Sequence, residues 1–274
     1  MTPELQITRH GYSGDQVKPA MGFFTDTSLC IGCKACEVAC KEWNQIPDSI
    51  QELTGMSYDN TIDLGADTWR HVQFIEQPTQ IETDEGFRWL MSSDVCKHCS
   101  EAACLDVCPT GALFRTEFDT VVVQEDVCNG CGYCVPACPF GVLDQREGDG
   151  RVWKCTLCYD RLKDDKEPAC AQACPTNSIQ FGELEDLRER AHGRVTELER
   201  NGVPGVQLYG ADPGDGVGGM HAFFLLLDEP EAYSLPPDPK VTTRDLTGIW
   251  TSAFAAAGAL AAGIAAATLF GGRR

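Results

Sequence analysis

The cysteines of this chain are spaced for iron–sulfur chemistry, and the clearest run lies near its middle. This run is C-x2-C-x2-C-x3-C-P, formed by Cys128, Cys131, Cys134, Cys138 and Pro139. Thiolates at this spacing are ligands of [4Fe-4S] clusters: three of them hold one cluster, and the fourth reaches a second cluster. One such run therefore predicts a partner run elsewhere in the chain.

Three further groups of four cysteines repeat this pattern with variations. The first group is followed by Lys41 instead of a proline. In the second group four residues, and not two, separate the second and third cysteines, and in the fourth group eleven residues separate them. These groups are Cys30, Cys33, Cys36 and Cys40; Cys96, Cys99, Cys104 and Cys108; and Cys155, Cys158, Cys170 and Cys174. Because four groups of four use all 16 cysteines, the sequence predicts four [4Fe-4S] clusters.

The fourth cysteine of each run is predicted to complete the cluster of a partner run. Residues 112–127 alternate as a β-hairpin would, so the second and third runs are paired, and the first is left to pair with the fourth. Sequential pairing, of the first run with the second and the third with the fourth, is the alternative. The predicted ligand sets are Cys30, Cys33, Cys36 and Cys174; Cys155, Cys158, Cys170 and Cys40; Cys96, Cys99, Cys104 and Cys138; and Cys128, Cys131, Cys134 and Cys108.

The composition excludes several other classes of protein. The chain has 274 residues and a net charge of −19 without a run of basic residues, which argues against nucleic acid as a partner. Disulfide frameworks occur in short secreted domains and do not repeat this spacing. Zinc also binds C-x2-C pairs, but the spacing here is that of a cluster site, so a zinc-stabilised structural protein is a distant alternative.

An insertion at residues 43–89 separates the first two runs. Residues 69–76 and 87–91 have strand character on either side of a turn, which predicts a hairpin. Three tryptophans of this insertion are predicted to fill a small core, and the alternative is that they pack over a cluster or a partner subunit: Trp43, Trp69 and Trp89.

The chain changes character after the last cysteine. Apolar residues at helical spacing predict an amphipathic helix at 183–200, and residues 221–227 are predicted to form a strand. Residues 214–219 match G-x-G-x-x-G. Because a strand and not a helix follows them, this match does not indicate a dinucleotide site.

Side chains beside the cysteines could adjust the clusters. His98 lies in a run that already has four cysteines, so it is predicted to donate a hydrogen bond near a cluster or to lie on the surface. Four lysines could either tune the potential of a cluster or simply be solvated, and both interpretations stay open for Lys34, Lys41, Lys97 and Lys154.

The C-terminal segment is long and apolar enough to cross a membrane. Residues 246–272 carry no charge, and a single membrane helix is predicted at 246–270. Arg273 and Arg274 favour a cytoplasmic C-terminus and hence an extracytoplasmic cluster domain, although basic residues before the helix weaken that assignment. No export signal is visible at the N-terminus, so an exported chain would travel with a signal-bearing partner.

These features predict an α+β fold with two ferredoxin-like 2[4Fe-4S] lobes related by a pseudo-twofold repeat, a C-terminal extension and one transmembrane helix. The predicted divisions are an irregular arm at 1–22, one lobe at 23–42 and 150–182, the insertion at 43–89, the second lobe at 90–149, a helix, strand and linker at 183–245, and the membrane helix at 246–270.

Several motifs carry a resemblance to a known family. They are Cys30-Ile31-Gly32-Cys33-Lys34-Ala35-Cys36, Asn129-Gly130-Cys131-Gly132-Tyr133-Cys134 with Cys138-Pro139-Phe140, Lys154-Cys155-Thr156-Leu157-Cys158, Glu167-Pro168-Ala169-Cys170, Gly216-Val217-Gly218-Gly219 and the linker at 235–240. With the C-terminal helix, they resemble the iron–sulfur subunits of molybdopterin oxidoreductases, and most closely the beta subunit of membrane-bound formate dehydrogenase. Nitrate reductase subunits replace one cysteine, and dimethyl sulfoxide reductase subunits generally lack the terminal helix, so the resemblance to these is weaker.

The resemblance implies an electron-transfer subunit that is not catalytic on its own. Electrons would pass from a catalytic alpha subunit with a molybdenum or tungsten pterin, through four clusters, to a cytochrome b gamma subunit or quinone in the cell membrane. The sequence agrees, because it offers cluster ligands and an anchor but no nucleophile or acid–base pair. The alternative is the same role beside another molybdopterin oxidoreductase or a hydrogenase.

Overall fold

The computed structural model describes residues 18–48, 53–55, 58–78, 87–244 and 246–270. Its strands are β1 (Met21–Asp26), β2 (Arg70–Pro78), β3 (Phe87–Val95), β4 (Leu113–Arg115), β5 (Val121–Val123), β6 (Asp144–Gln145), β7 (Val152–Trp153), β8 (Ile179–Glu183), β9 (Gln207–Tyr209) and β10 (Ala222–Leu226). Its α-helices are α1 (Ala35–Asn44), α2 (Ala103–Asp106), α3 (Cys134–Ala137), α4 (Tyr159–Lys163), α5 (Ala169–Gln172), α6 (Leu184–Arg200) and α7 (Leu246–Phe270).

A four-stranded sheet joins the two ends of the cysteine-containing region to the C-terminal part. Its strand order is β8-β1-β10-β9, with β1 parallel to β10 and antiparallel to β8. Every residue of β10 is buried, as expected for a continuous apolar strand covered on both faces. This confirms the predicted strand at 221–227.

The predicted boundary of the irregular arm, residue 22, is wrong, because β1 already begins at Met21. Residues 1–17 of the predicted arm lie outside the described part of the chain. Met21 and Gly22 already belong to β1, because they pair with the C-terminal end of β8. The apolar pair Phe23 and Phe24 continues that strand into the buried centre of the sheet.

Two predicted hairpins are present. β2 pairs with β3 in an antiparallel register from Arg70 opposite Val95 to Pro78 opposite Phe87, so the second strand is longer than the predicted 87–91. β4 and β5 form the hairpin predicted within 112–127. The two-residue strands β6 and β7 form another hairpin that the sequence pattern did not predict.

The short helices place cysteines at similar points of each run. The third cysteine of each run lies on a helix, and these cysteines are Cys36, Cys104, Cys134 and Cys170. Three of these helices, α2, α3 and α5, have only four residues each, and a proline follows the fourth cysteine of their runs. In the first run, Lys41 replaces that proline and α1 continues to Asn44.

The C-terminal elements follow the predicted pattern in part. The amphipathic helix predicted at 183–200 is α6, which buries Leu184, Leu187, Ala191 and Leu198 against the sheet. The glycine-rich segment leads into β10 and not into a helix, so it lacks the context of a dinucleotide site. It packs instead on the second cysteine run, where Ser100 and Glu101 donate backbone hydrogen bonds to Gly219 and Val217.

The tryptophans of the insertion differ from the prediction. Trp69 is buried, but Trp43 and Trp89 are 43% and 46% exposed, so the prediction that all three fill a core is wrong for two. Trp43 stays at the surface because its indole nitrogen donates to Asp160 at 2.8 Å while the Arg161 guanidinium covers its ring. Trp89 packs edge-on against the exposed ring of a tyrosine, Tyr58.

The last helix stands apart from the folded body. Residues Thr247–Thr268 of α7 are long and apolar enough to cross a membrane, and none of this span is buried within the chain. A helix that is apolar all round and has no protein neighbours is suited to a lipid environment or a partner helix.

Candidate iron–sulfur cluster sites

Four cysteines from the first and last runs surround one cavity, which we name site A. The cavity is lined by Cys30, Cys33, Cys36 and Cys174. Cys30 follows a short 3-10 helix at Thr27–Leu29, Cys36 lies on α1, and Cys174 follows α5. Cys33 is exposed, so site A lies close to the protein surface.

The middle two runs form two more cavities by exchanging their fourth cysteines. Site C is lined by Cys96, Cys99, Cys104 and Cys138. Site D is lined by Cys108, Cys128, Cys131 and Cys134. At site D, Cys131 is exposed.

The remaining four cysteines, all buried, also lie together, and we name them site B: Cys40, Cys155, Cys158 and Cys170. Burial raises the pKa of Cys40 well above its ordinary value, and the thiols of the other three raise it further. The amide of Asn44 lies 3.6 Å from the Cys40 sulfur and 4.0 Å from the Cys158 sulfur. The structure thus places four thiols at each of four sites, and that each set holds one cluster stays a prediction.

The arrangement suits a polynuclear group better than a single ion. Among the described residues, no three Cys, His, Asp or Glu side chains converge closely enough to hold one metal ion. The thiols of sites A, C and D instead line shared cavities, four thiols to each cavity. Four thiols around one space match the ligand set of a [4Fe-4S] cluster.

His98 gives an independent test of this fit at site C. It lines the cavity and is 1% exposed, and its Nδ1 accepts a hydrogen bond from the Val121 backbone at 3.1 Å. Burial lowers the pKa of His98 well below its usual value, and the charge of Lys154 lowers it further, so the ring is neutral. Its proton then lies on Nε2, which has no acceptor among the described residues. A sulfur of a bound cluster would supply that acceptor.

Glycines bring the backbone close to the thiols. Gly130 and Gly132 in site D have φ angles of 70° and 75°, in the left-handed region that favours glycine. A Cβ on Gly130 would lie 2.4 Å from the Gly150 carbonyl oxygen, so no larger residue fits there without movement. The run can therefore keep its tight turn only with glycine at this position.

Without metal, most of these thiols hold their protons. Burial raises the pKa of Cys104 and of Cys155 to about 12 and that of Cys36 to about 11. Cys108 differs: burial would raise its pKa, but hydrogen bonds from the Leu113 backbone and the Thr110 hydroxyl lower it. Because iron binds the thiolate, loading these sites must release protons.

Three pairs of sites are neighbours: A with B, B with C, and C with D. Burial raises the pKa of Cys36, Cys155 and Cys104. A thiol of the neighbouring site raises each pKa further: Cys170 acts on Cys36, Cys96 on Cys155, and Cys134 on Cys104. Each site therefore has a neighbour close enough for direct electrostatic interaction.

The chain is similar to known iron–sulfur proteins. A family model for 4Fe-4S dicluster domains matches residues 29–112, and a second one with the same description matches residues 87–184. The chain is 42% identical over 245 residues to the formate dehydrogenase iron-sulfur subunit of Haemophilus influenzae, with 88% of this chain and 74% of the relative covered.

A second relative is covered over more of its length. It is the iron-sulfur subunit of the nitrate-inducible formate dehydrogenase of Escherichia coli, 42% identical over 268 residues, with 95% of this chain and 85% of the relative covered. This chain belongs to the formate dehydrogenase iron–sulfur subunits. The dicluster matches also set aside the zinc-stabilised alternative.

The family has more distant relatives among other oxidoreductases. The B subunit of the anaerobic dimethyl sulfoxide reductase of Escherichia coli is 37% identical over 177 residues, covering 65% of this chain and 80% of the relative. The formate dehydrogenase subunits are matched over more of this chain and at higher identity.

In this formate dehydrogenase iron–sulfur subunit, two of the four predicted lysines are buried. Lys97 and Lys154 are each 1% exposed, so they are not solvated. Lys97 pairs with Asp94 and lies over the ring of Phe224, while Lys154 donates to the backbone carbonyls of Val121 and Cys155.

The other two lysines are more exposed. Lys34 is 23% exposed and pairs with Glu37 and Asp59, while Lys41 is 28% exposed and donates to the Pro47 carbonyl. Burial therefore separates the four lysines into two in the interior and two that are partly exposed, and of the latter Lys34 also lines the cavity of site A.

Arg70 is a charged residue beside the thiols that was not predicted. Arg70 begins β2, is 2% exposed and donates to the Cys170 sulfur of site B at 3.3 Å. The sequence signal was weak, because a single arginine at the start of an alternating strand is typical of a solvent-facing position.

The start of the apolar helix is tied to the cluster region. Arg244 donates to the two carboxylate oxygens of Asp106 at 2.9 and 3.1 Å and pairs with Glu101 at 3.1 Å. Asp106 lies on α2, between Cys104 of site C and Cys108 of site D. The segment that leads into α7 therefore leaves the folded body beside sites C and D.

Proposed function

We propose that this chain is the electron-transfer subunit of a membrane-bound formate dehydrogenase. In this role, four [4Fe-4S] clusters would exchange electrons one at a time between a catalytic subunit with a molybdenum or tungsten pterin and a cytochrome b subunit or quinone in the membrane. The observation that carries the proposal is the row of four thiol sites, with an apolar helix at one end of it.

Each site is proposed to hold one cluster. The ligand sets are Cys30, Cys33, Cys36 and Cys174 at site A; Cys40, Cys155, Cys158 and Cys170 at site B; Cys96, Cys99, Cys104 and Cys138 at site C; and Cys108, Cys128, Cys131 and Cys134 at site D. Sites A and B mix the first and fourth runs, and sites C and D mix the second and third. This mixing supports the proposed pair of ferredoxin-like lobes, at 23–42 with 150–182 and at 90–149, related by a pseudo-twofold repeat.

The position of the helix supports a direction for the row. Since Arg244 ties the start of α7 to α2, sites C and D are proposed to lie toward the membrane, and site D to pass electrons to the cytochrome or quinone. Site A is then proposed to face the catalytic subunit. Near it lies an exposed apolar surface formed by Ile31, Tyr58 and Trp89, which a partner subunit could cover.

The cluster domain is proposed to lie outside the cytoplasm, with α7 as a single membrane span. The basic pair at 273–274 supports this orientation through the positive-inside rule. Protease added to oriented vesicles should cleave the cluster domain from the extracytoplasmic side. Cleavage only from the cytoplasmic side would overturn this orientation.

The proposed function is tested by the visible spectrum of the anaerobically purified native complex. Formate is expected to bleach the broad iron–sulfur absorption, and most of the absorption that dithionite removes should be lost with formate. Bleaching by dithionite alone would show that the clusters serve another catalytic subunit, such as that of a dimethyl sulfoxide reductase or a hydrogenase. A colourless complex would overturn the iron–sulfur assignment.

A further inference from the structure

Arg70 lies between two thiol sites in the interior of the protein. One terminal nitrogen of its guanidinium donates to the Cys170 sulfur of site B at 3.3 Å. The other donates to the Ser93 carbonyl at 3.1 Å and lies 3.3 Å from the Ser93 hydroxyl. That hydroxyl is 3.2 Å from the Cys36 sulfur of site A. The guanidinium thus contacts one site directly and the next through a single hydroxyl group.

The charge of Arg70 has no carboxylate partner among the described residues. Its guanidinium carbon lies 4.9 Å from the centre of the Phe23 ring, and its Nε has no hydrogen-bond partner. A buried charge without a counter-charge is strongly unfavourable. Thiolate ligands at sites A and B are the negative groups placed to balance the charge of Arg70. Protonated thiols leave that charge unpaired, whereas clusters bound through thiolates would balance it.

We propose that Arg70 sets the reduction potentials of the clusters at sites A and B together, which rests on the ligand sets proposed above. A cation in a low-dielectric interior stabilises the more negative state of each group it contacts. Reduction adds one negative charge to a cluster, so Arg70 raises both potentials relative to an uncharged residue.

The contacts predict an unequal effect at the two sites. Site B receives a direct, charge-assisted hydrogen bond, whereas site A is reached through the hydroxyl of Ser93. Charge-assisted bonds are the stronger kind, so loss of the charge should shift the potential of site B more. Loss of the Ser93 hydroxyl alone should shift only site A.

The test is a mediated redox titration of the whole native complex, followed by electron paramagnetic resonance. Arg70→Gln keeps an amide donor and removes the charge, and two of the four midpoint potentials are expected to become more negative. Arg70→Lys should restore much of the shift. Signals are assigned with Cys33→Ser for site A and Cys158→Ser for site B.

A matched control lies on the same hairpin. Arg88→Gln removes the same charge, and Arg88 is seven residues along β3 from the partner of Arg70, roughly 23 Å away. It should leave all four potentials unchanged. Unchanged potentials at sites A and B in Arg70→Gln would overturn the proposal.

Two further outcomes keep the proposal testable. If Arg70→Gln fails to assemble, Ser93→Ala should still shift site A to a more negative potential, and no shift would count against the inference. The titration uses chemical mediators and no formate. Failure of the proposed function would therefore appear as missing reduction by formate, while failure of this inference would appear as unchanged midpoints.

Discussion

Cys40→Ser tests how the sixteen thiols are divided among the clusters. Cys40 lies on α1 in the first run, yet its thiol lies with those of the fourth run at site B and is 5% exposed. Serine is a poor ligand for a cluster, and little water can enter a site this buried to replace the sulfur. We therefore expect the site B cluster to be lost or to become a three-iron form.

The size of the loss follows from the ligand count. With roughly sixteen irons on four clusters, loss of one cluster removes about a quarter of the iron, and conversion to a three-iron form removes about one atom in sixteen. Iron and sulfide analysis of the purified complex distinguishes these two outcomes. The spectrum of a three-iron form in the oxidised state gives a second, independent readout.

Two comparison variants identify which cluster is damaged. Cys158→Ser removes a site B ligand, and Cys104→Ser removes a site C ligand. Under the proposed pairing, Cys40→Ser loses the same resonance signal as Cys158→Ser. Loss of the Cys104→Ser signal instead would refute the reasoning, because it would show that the first run pairs with the second.

Substitutions away from the thiols test the local geometry. Gly22→Ala should destabilise the fold by roughly 1–3 kcal/mol, because its Cβ would collide with the His221 carbonyl oxygen. The thermal midpoint of the complex should therefore fall. An unchanged midpoint would contradict this packing. Burial would raise the pKa of Asp59, but hydrogen bonds from two basic side chains lower it below 3.8. Its stabilisation is therefore present above pH 3.8 and is lost as the pH falls through the lowered pKa, so Asp59→Asn should flatten the acid limb of thermal stability. Arg244→Gln should increase hydrogen exchange at residues 241–244 several-fold, since loss of the pairs with Asp106 and Glu101 removes about 1 kcal/mol. Equal rates of hydrogen exchange in the variant and the wild type would show that these ion pairs do not stabilise the segment.

The grouping of thiols could be predicted because spacing carries the information. In the first and third runs the x2-x2 intervals bring three thiols together, and the second and fourth runs repeat this pattern with wider loops. The hairpin length between runs indicates which run supplies the fourth thiol. The same local reasoning predicted β2 with β3, β4 with β5, and α6, since each depends on residues close in sequence. Ligation of iron by these sets stays a prediction.

The long-range contacts could not be predicted in this way. β1 pairs with β10 across roughly two hundred residues, and no local pattern specifies that partner. The burial of Arg70, Lys97 and Lys154 could not be predicted either, because a charged side chain is buried only when the surrounding fold supplies its partners. Lys97 and Lys154 neighbour cysteines in the sequence, whereas tertiary contacts alone bring Arg70 to the thiols.

The central sheet divides the interior into two different cores. Successive residues of β1 point to opposite faces, and Phe23 joins the core that contains the buried thiols while Phe24 joins the core under α6. The second core contains stacked rings of Phe24 and Phe223 with Leu187, and burial of each such side chain contributes roughly 1.5–3 kcal/mol. The first core instead surrounds cavities that hydrocarbon does not fill, so its stability depends on the groups that occupy them. Placing the sheet between the two gives the row of sites a support that does not itself depend on iron.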